Sequence, residues 1–244
     1  MNLNRDQIKY IAIITMTFNH VAHGLLAPGT LVYEIFENIG YFTAVTMCFF
    51  LVEGYHHTNS IRRYALRLLL FGVISEIPYV FSQGFYEIGF FQPCIMFSLL
   101  ICLGVIHVAN SKLGTWKKRI IIFVLVLLSV PCDWSFVLPV ATLLFEKSRG
   151  DIRKNAIAYA SITVIFFLIN FMSFLSGGTR MAVIRAGAAS VGLIISGIFV
   201  LCLYSGQKGK RFTRFNRWFF YIYYPLHLTV IAILRYSMIS FPAR

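Results

Sequence analysis

Nine apolar runs follow one another along this chain, and few folds can absorb them. A helix needs roughly 20 apolar residues to cross the hydrocarbon core of a bilayer. Runs of that kind occupy approximately 8–27, 35–56, 63–82, 88–109, 118–131, 134–146, 155–175, 183–204 and 217–239. The fifth and sixth are short and are separated only by Pro131, Cys132 and Asp133. They fit either two tilted helices in a tight hairpin or one re-entrant unit. Nothing between the runs is long enough to fold separately, so residues 1–244 are expected to form a single all-α, polytopic membrane bundle. Composition agrees. The chain is 58% apolar and 13% charged, with 24 Phe, whereas ordinary globular domains are about 25% charged. The first run carries Lys9, Asn19 and His20 and has no small-residue cleavage site, so it is expected to stay as the first helix.

A formal net charge of +13 invites a nucleic-acid partner, but its distribution argues for a membrane. Lys and Arg collect in the cytoplasmic loops of membrane proteins. One set of alternate loops and helix ends takes Arg5 and Lys9, then Arg62, Arg63 and Arg67, then Lys112, Lys117, Lys118 and Arg119. It continues with Lys147, Arg149, Arg153 and Lys154, and ends with Lys208, Lys210, Arg211, Arg214 and Arg217. That is 18 of the 22 basic residues. The opposite set has Arg180, Arg185, Arg235 and Arg244, together with Glu34, Glu37, Glu87 and Asp133. The alternation holds across all nine runs, which puts the amino terminus in the cytoplasm and the carboxyl terminus outside. The basic loops are anchors for anionic membrane lipid, not a groove for nucleic acid. Four of the five cysteines (Cys48, Cys94, Cys102 and Cys132, but not Cys202) read as small packing residues rather than a disulfide framework.

Ionisable side chains at depth in a bilayer are costly and mark candidate sites. His20 lies twelve residues into the first run, roughly 18 Å from its inner end. Lys9 precedes it by eleven residues, close to three turns, so both leave nearly the same helix face; Asn19 and His23 flank the histidine. His227 sits near the middle of the last run in RWFFYIYYPLHL, where Pro225 frees carbonyls and Tyr221, Tyr223 and Tyr224 bring phenol groups. Glu76 falls in the outer half of the third run, just before Pro78. Asp133 lies at the outer break, and Glu53, His56 and His57 end the second run at the inner face. His107 has a bland setting and reads as structural. Each has a plain packing alternative: a bonded core histidine, a snorkelling lysine, a solvated turn acid. No H-x-x-x-H or H-x-x-E-H spacing, GxSxG, Walker loop or dinucleotide fingerprint occurs, so neither metal nor nucleotide-hydrolysis chemistry is expected.

The segments IKYIAIITMTFNHV, FFLVEGYHHTNSIRRYALRLLLFGVISEIPY and WFFYIYYPLHL resemble, in order, the TraX family of conjugal-transfer membrane proteins. The densest resemblance runs from Phe49 to Tyr79. It implies an acetyltransferase of the bacterial cytoplasmic membrane that modifies the amino terminus of a pilin subunit, with acetyl-CoA as co-substrate. Larger membrane acyltransferases, which it also resembles, carry a basic residue, ten intervening residues and then His in the first helix; Lys9 and His20 have that spacing. Two positions depart from the family. Its Asp before the first-helix His is Asn19 here, and its GRLAFP is GYFTAV, which puts Tyr41 at the Arg and Val45 at the Pro. An Asn amide can orient an imidazole but not raise its basicity.

The expected chemistry is acyl transfer across the membrane. Lys9, Arg62, Arg63 and Arg67 are placed to meet the phosphates of acetyl-CoA. His20 is the expected base towards an acceptor amine or hydroxyl, with His227 or a nearby Tyr hydroxyl donating to the oxyanion. Glu76 is expected to position a peptide or glycan acceptor, with Asn19, Glu53, His57, Asp133 and Tyr224 in orienting roles. A non-catalytic accessory protein or a proton-coupled transporter is the alternative.

Overall fold

The computed structural model describes residues 2–89, 92–209 and 213–240 and, within these, all side chains except those of residues 87, 88, 213, 214 and 217. Of the loop charges named above, Lys210, Arg211 and Arg244 lie outside the described residues, as do the side chains of Glu87, Arg214 and Arg217. The chain forms α1 (Arg5–Leu25), α2 (Leu31–Gly40), α3 (Phe42–His57), α4 (Ile61–Gln83), α5 (Phe85–Ile88) and α6 (Ile95–Ala109). It continues with α7 (Thr115–Leu128), α8 (Val137–Ser148), α9 (Ile152–Phe174), α10 (Thr179–Ile198) and α11 (Thr213–Ser240). No strand occurs among the described residues; one isolated bridge joins Leu3 to Tyr204.

Each apolar run becomes one rod, with α2 and α3 forming a single rod broken at Tyr41. Five stretches are long and apolar enough to cross a membrane: Leu31–His57, Ile61–Gln83, Ile152–Gly177, Thr179–Leu203 and Trp218–Ser240. Side chains next to the backbone explain where the rods begin. Asn4 accepts from the amides of Asp6 and Gln7 while the Gln7 side chain returns to the Asn4 amide, a capping box for α1. Thr30, Ser60 and Asp151 do the same job, one bond or two each, for α2, α4 and α9. The fourth rod starts at Ile95 rather than near residue 88, because α5 and the turn through Pro93 take up the intervening chain.

The fifth and sixth runs form two separate helices, α7 and α8. They are not a simple packed pair: α7 lies on α6, while α8 is drawn inward against α3, α6 and α9. Their lengths of 14 and 12 residues correspond to roughly 21 and 18 Å at 1.5 Å per residue, short of a full hydrocarbon crossing of ~30 Å. The turn joining them is therefore set well below the level at which the longer rods end.

The core forms around α3, which buries Phe42–Thr46 and Cys48–Val52 on nearly every side, as a helix apolar all round must. It packs on α1, α6, α8 and α10. The outer faces are apolar too: Leu66, Leu70, Val73 and Ile77 on α4, and Ile157, Val164, Leu168 and Met172 on α9 are all exposed. A belt that wide suits lipid, not water.

Polar contacts define the two ends of the bundle. At one end, Leu3 and Arg5 bond the 203–207 backbone, and Glu146 of α8 joins His56 of α3 to Asn110 after α6. At the other, Arg235 of α11 bonds the Gly24 carbonyl and Arg185 of α10 approaches Glu34 of α2. Cys48, Cys94, Cys102 and Cys132 are buried and Cys202 is exposed, all as free thiols; the packing role expected for the first four holds.

Candidate functional site

A cavity of about 610 Å³ opens at the basic end, between the start of α1, the end of α3, the start of α4, the 204–208 segment and α11. Arg5, Arg63, His57 and Lys208 stand at its mouth; Lys9, Glu53 and Arg67 lie further in; Met16, Ile95 and Tyr224 close its inner end. The carboxylates on its wall are already engaged. Asp6 pairs with Arg5 at 3.3 Å and accepts from Asn216 at 3.0 Å, and Asn216 in turn accepts from Tyr10 at 2.7 Å. Glu53 accepts from the Tyr204 hydroxyl at 2.7 Å.

The inner cations are held differently. Lys9 Nζ sits over Phe50 and Phe220, 5.7 and 5.6 Å from the ring centroids. The Arg67 guanidinium lies 5.6 Å from Tyr64 and 5.7 Å from Tyr221, with its buried Nε unbonded. Among the described residues no carboxylate pairs with either one. Ring faces attract a cation and fix its position without neutralising it. Both charges therefore remain available to an anion.

Deeper in, His20 is 6% exposed, and its Nδ1 is 3.2 Å from Gln83 Nε2 on α4. Its ring centroid is 5.2 Å from that of His227, 6.0 Å from Tyr79 and 6.1 Å from Tyr224. His20 lines a second cavity of about 30 Å³, together with Asn19, Tyr41, Asp133 and Trp134. Met16, Thr43 and Ile95 are walls of both cavities. Lys9 and His20 thus share a flank, as their spacing predicts, but face adjacent chambers divided by three side chains.

The other expected site residues separate into three groups. Arg63, Arg67, Glu53, His57 and Tyr224 line the large cavity, and Asn19 and Asp133 line the small one. Arg62 does not join them; it is exposed on the next face of α4, since consecutive residues diverge by 100°. Glu76 lines neither cavity. Its Oε2 accepts from the Cys94 amide at 3.1 Å, which caps the start of α6. His227 also lines neither, and its Nδ1 is spent on the Tyr223 carbonyl at 2.9 Å. The Asn19 amide donates to the Glu37 carbonyl at 3.1 Å, so it ties α1 to α2, and the hydrogen bond to His20 comes from Gln83 instead. His23 meets Tyr33 at 3.1 Å and Glu37 at 3.5 Å, and His107 faces Tyr55 at 3.4 Å.

Sequence reasoning missed Gln83, Tyr79 and the dividing trio of Met16, Thr43 and Ile95. All are ordinary membrane-helix residues that become partners only through helix packing.

The chain is 31% identical over 237 residues to the probable fimbrial assembly protein FimC, serogroup H1, of Dichelobacter nodosus, covering 93% of each sequence. No solved structure matches it significantly. The family model described as TraX protein matches residues 4–235, a span that holds every residue lining the two cavities. The chain belongs to the TraX protein family.

Proposed function

We propose that this protein is an acetyltransferase embedded in the bacterial cytoplasmic membrane with its amino terminus in the cytoplasm. It moves an acetyl group from cytoplasmic acetyl-CoA to a peptide amino terminus or another cell-surface acceptor. The observation that carries this reading is the pair of inner cations without a direct ion pair, Lys9 and Arg67, in a cavity that opens at a basic mouth and ends at Met16, Thr43 and Ile95, the side chains that part it from the buried His20. A charged lysine and arginine in a partly desolvated cavity are costly without anions. The phosphates of a coenzyme A ester supply them, and its neutral arm suits the inner cavity of Met16, Ile95 and Tyr224.

In this mechanism the acceptor nitrogen or oxygen attacks the thioester carbonyl, the Met16, Thr43 and Ile95 side chains give way so that His20 takes its proton, and the C–S bond breaks to release coenzyme A as the thiolate that recovers that proton. The oxyanion needs a donor. His227 bonds a carbonyl through Nδ1, which leaves Nε2 as an acceptor in the neutral ring. The role therefore falls to the Tyr224 hydroxyl, which is 1% exposed and lines the large cavity. A pilin-like peptide is the favoured acceptor, because the similar D. nodosus protein is named for fimbrial assembly.

Incubating membranes with radiolabelled acetyl-CoA tests the reading. Covalent label in a peptide or glycan fraction, lost in His20→Ala with the protein still inserted, is the expected result. Uptake of substrate without label, or label that survives His20→Ala, refutes it.

A further inference from the structure

A base and an acid share the wall of the small cavity, and the mechanism above uses only the base. His20 reaches the cavity from α1 and Asp133 from the α7–α8 turn, with Asn19, Tyr41 and Thr43 beside them. We propose that this cavity receives the ammonium group of the acceptor and that Asp133 binds it. Asp133 is then the residue that selects an amine over a hydroxyl. The inference rests on the acetyl-transfer reading, with His20 as base.

Charge is the first argument. The Asp133 carboxylate accepts from the Trp134 amide and pairs with no described cation. An acid at membrane depth is costly when nothing positive faces it. A primary ammonium supplies that charge and three donors. A hydroxyl brings one donor and no charge.

Size is the second. A cavity needs about 10–15 Å³ to hold one water. At about 30 Å³, this one has room for an ammonium and the carbon that bears it, while the rest of the acceptor stays outside. An unbranched chain end meets that limit. A sugar hydroxyl is carried on a ring that does not fit.

Placement is the third. Helices α7 and α8 have only 14 and 12 residues, so their turn stops below the ends of the longer rods. Asp133 therefore meets His20 across one cavity instead of standing at the outer surface. Its backbone is fixed there: the amide donates to Pro93 O at 2.9 Å, and the carbonyl accepts from Ser98 Oγ. Trp134, stacked on Phe166 at 5.0 Å and edge-on to Tyr41 at 5.8 Å, forms the wall beside it.

Because Asp133 binds the acceptor and not the imidazole, the His20 nitrogen that Gln83 leaves open stays free for the acceptor's proton. The bound ammonium first passes one proton to Asp133, so a charged pair becomes a neutral amine and a neutral acid. The amine nitrogen attacks the thioester carbonyl and forms the C–N bond. Its second proton goes to His20 and then to the thiolate released as the C–S bond breaks. After the amide leaves, Asp133 gives its proton to the outer solvent, so each turnover releases one proton.

The test uses the full-length protein in nanodiscs. Methylammonium chloride is the binding probe, with sodium chloride and methanol at equal concentration as controls. Methylammonium alone should raise the melting temperature of the wild type, and it should leave that of Asp133→Asn unmoved. No shift in the wild type, a shift that persists in Asp133→Asn, or one that sodium or methanol matches overturns the proposal. The transfer assay offers labelled acetyl-CoA with glycyl-phenylalanine amide or with glycolyl-phenylalanine amide, in which a hydroxyl replaces the amine. The wild type should prefer the amine at least tenfold. Asp133→Asn should raise KM for the amine tenfold or more and leave KM for acetyl-CoA unchanged. Equal use of the two acceptors by the wild type, or an unchanged KM for the amine in Asp133→Asn, also overturns it. A wild type that acetylates neither acceptor while methylammonium still stabilises it through Asp133 removes the enzymatic reading and keeps the ammonium site.

Discussion

Lys9 and Arg67 show how aromatic faces can store a charge for later use. Each lies against two rings and pairs with no described acid. Replacing either by Met leaves no carboxylate orphaned, so stability should hold or rise. KM for acetyl-CoA should rise roughly tenfold, the equivalent of about 1.4 kcal/mol for one charge-assisted contact. Saturation kinetics on purified protein read both effects; an unchanged KM removes the residue from the binding site. Glu76 makes the opposite case. As a cap of α6, its Glu76→Ala variant should cost about 1 kcal/mol in thermal or denaturant unfolding. Glu76→Gln keeps an accepting oxygen for the Cys94 amide and should stay close to wild type in stability and turnover. Lys9 and His20 were legible in the sequence because helical periodicity alone sets their spacing. The partner of His20 was not, since Gln83 lies 63 residues away and reaches it only through packing.

Among the elements, α10 depends on Gly192 for its approach to the α2–α3 rod. A Cβ there would stand 2.4 Å from the Asn38 carbonyl oxygen and 2.8 Å from the Phe42 amide nitrogen. Backbone atoms cannot swing aside, so Gly192→Ala should destabilise the bundle by roughly 1–3 kcal/mol, seen as earlier loss of the folded monomer on heating in detergent. At the α9 start, the amides of Lys154 and Arg153 bond the Asp151 carboxylate and hold its pKa below the usual value. Its folded pKa being depressed, the stabilisation is present above the unfolded value of about 3.9. It is lost as pH falls through the lower, folded value. The melting difference between wild type and Asp151→Ala should therefore close in acid below about pH 4; a pH-independent difference would show that the charge is irrelevant to the cap. Most element boundaries were legible from caps and apolar length. The break at Tyr41 was less so, because a lone Gly40 in an apolar run is tolerated in many helices. The placement of α7 was equally hidden, since apolar length does not say which neighbour a helix chooses.

For the whole molecule, the alternating charge pattern predicts which loops face inside and which outside, by counting rather than packing. Single cysteines at Ser111 and Ser176, in a background with Cys202→Ser, should react oppositely with a membrane-impermeant maleimide. Ser176→Cys should label in intact spheroplasts, and Ser111→Cys only after the membrane is opened. The reverse result would invert the orientation and place the large cavity on the outer face, away from cytoplasmic acetyl-CoA. The internal site was less legible than the topology. The sequence marks where cations and histidines fall along each helix but not that Met16, Thr43 and Ile95 divide the space between them.

The backbone bonds from Leu3 to residues 203 and 205, and from Arg5 to Gln207, have a consequence for biogenesis. Leu3 and the Arg5 amide reach these partners only after eight of the nine rods have been synthesised. The mouth of the large cavity is thus completed only once residues 203–208 have been made. A bulky insertion placed directly before Leu3 would stand in the way of that pairing.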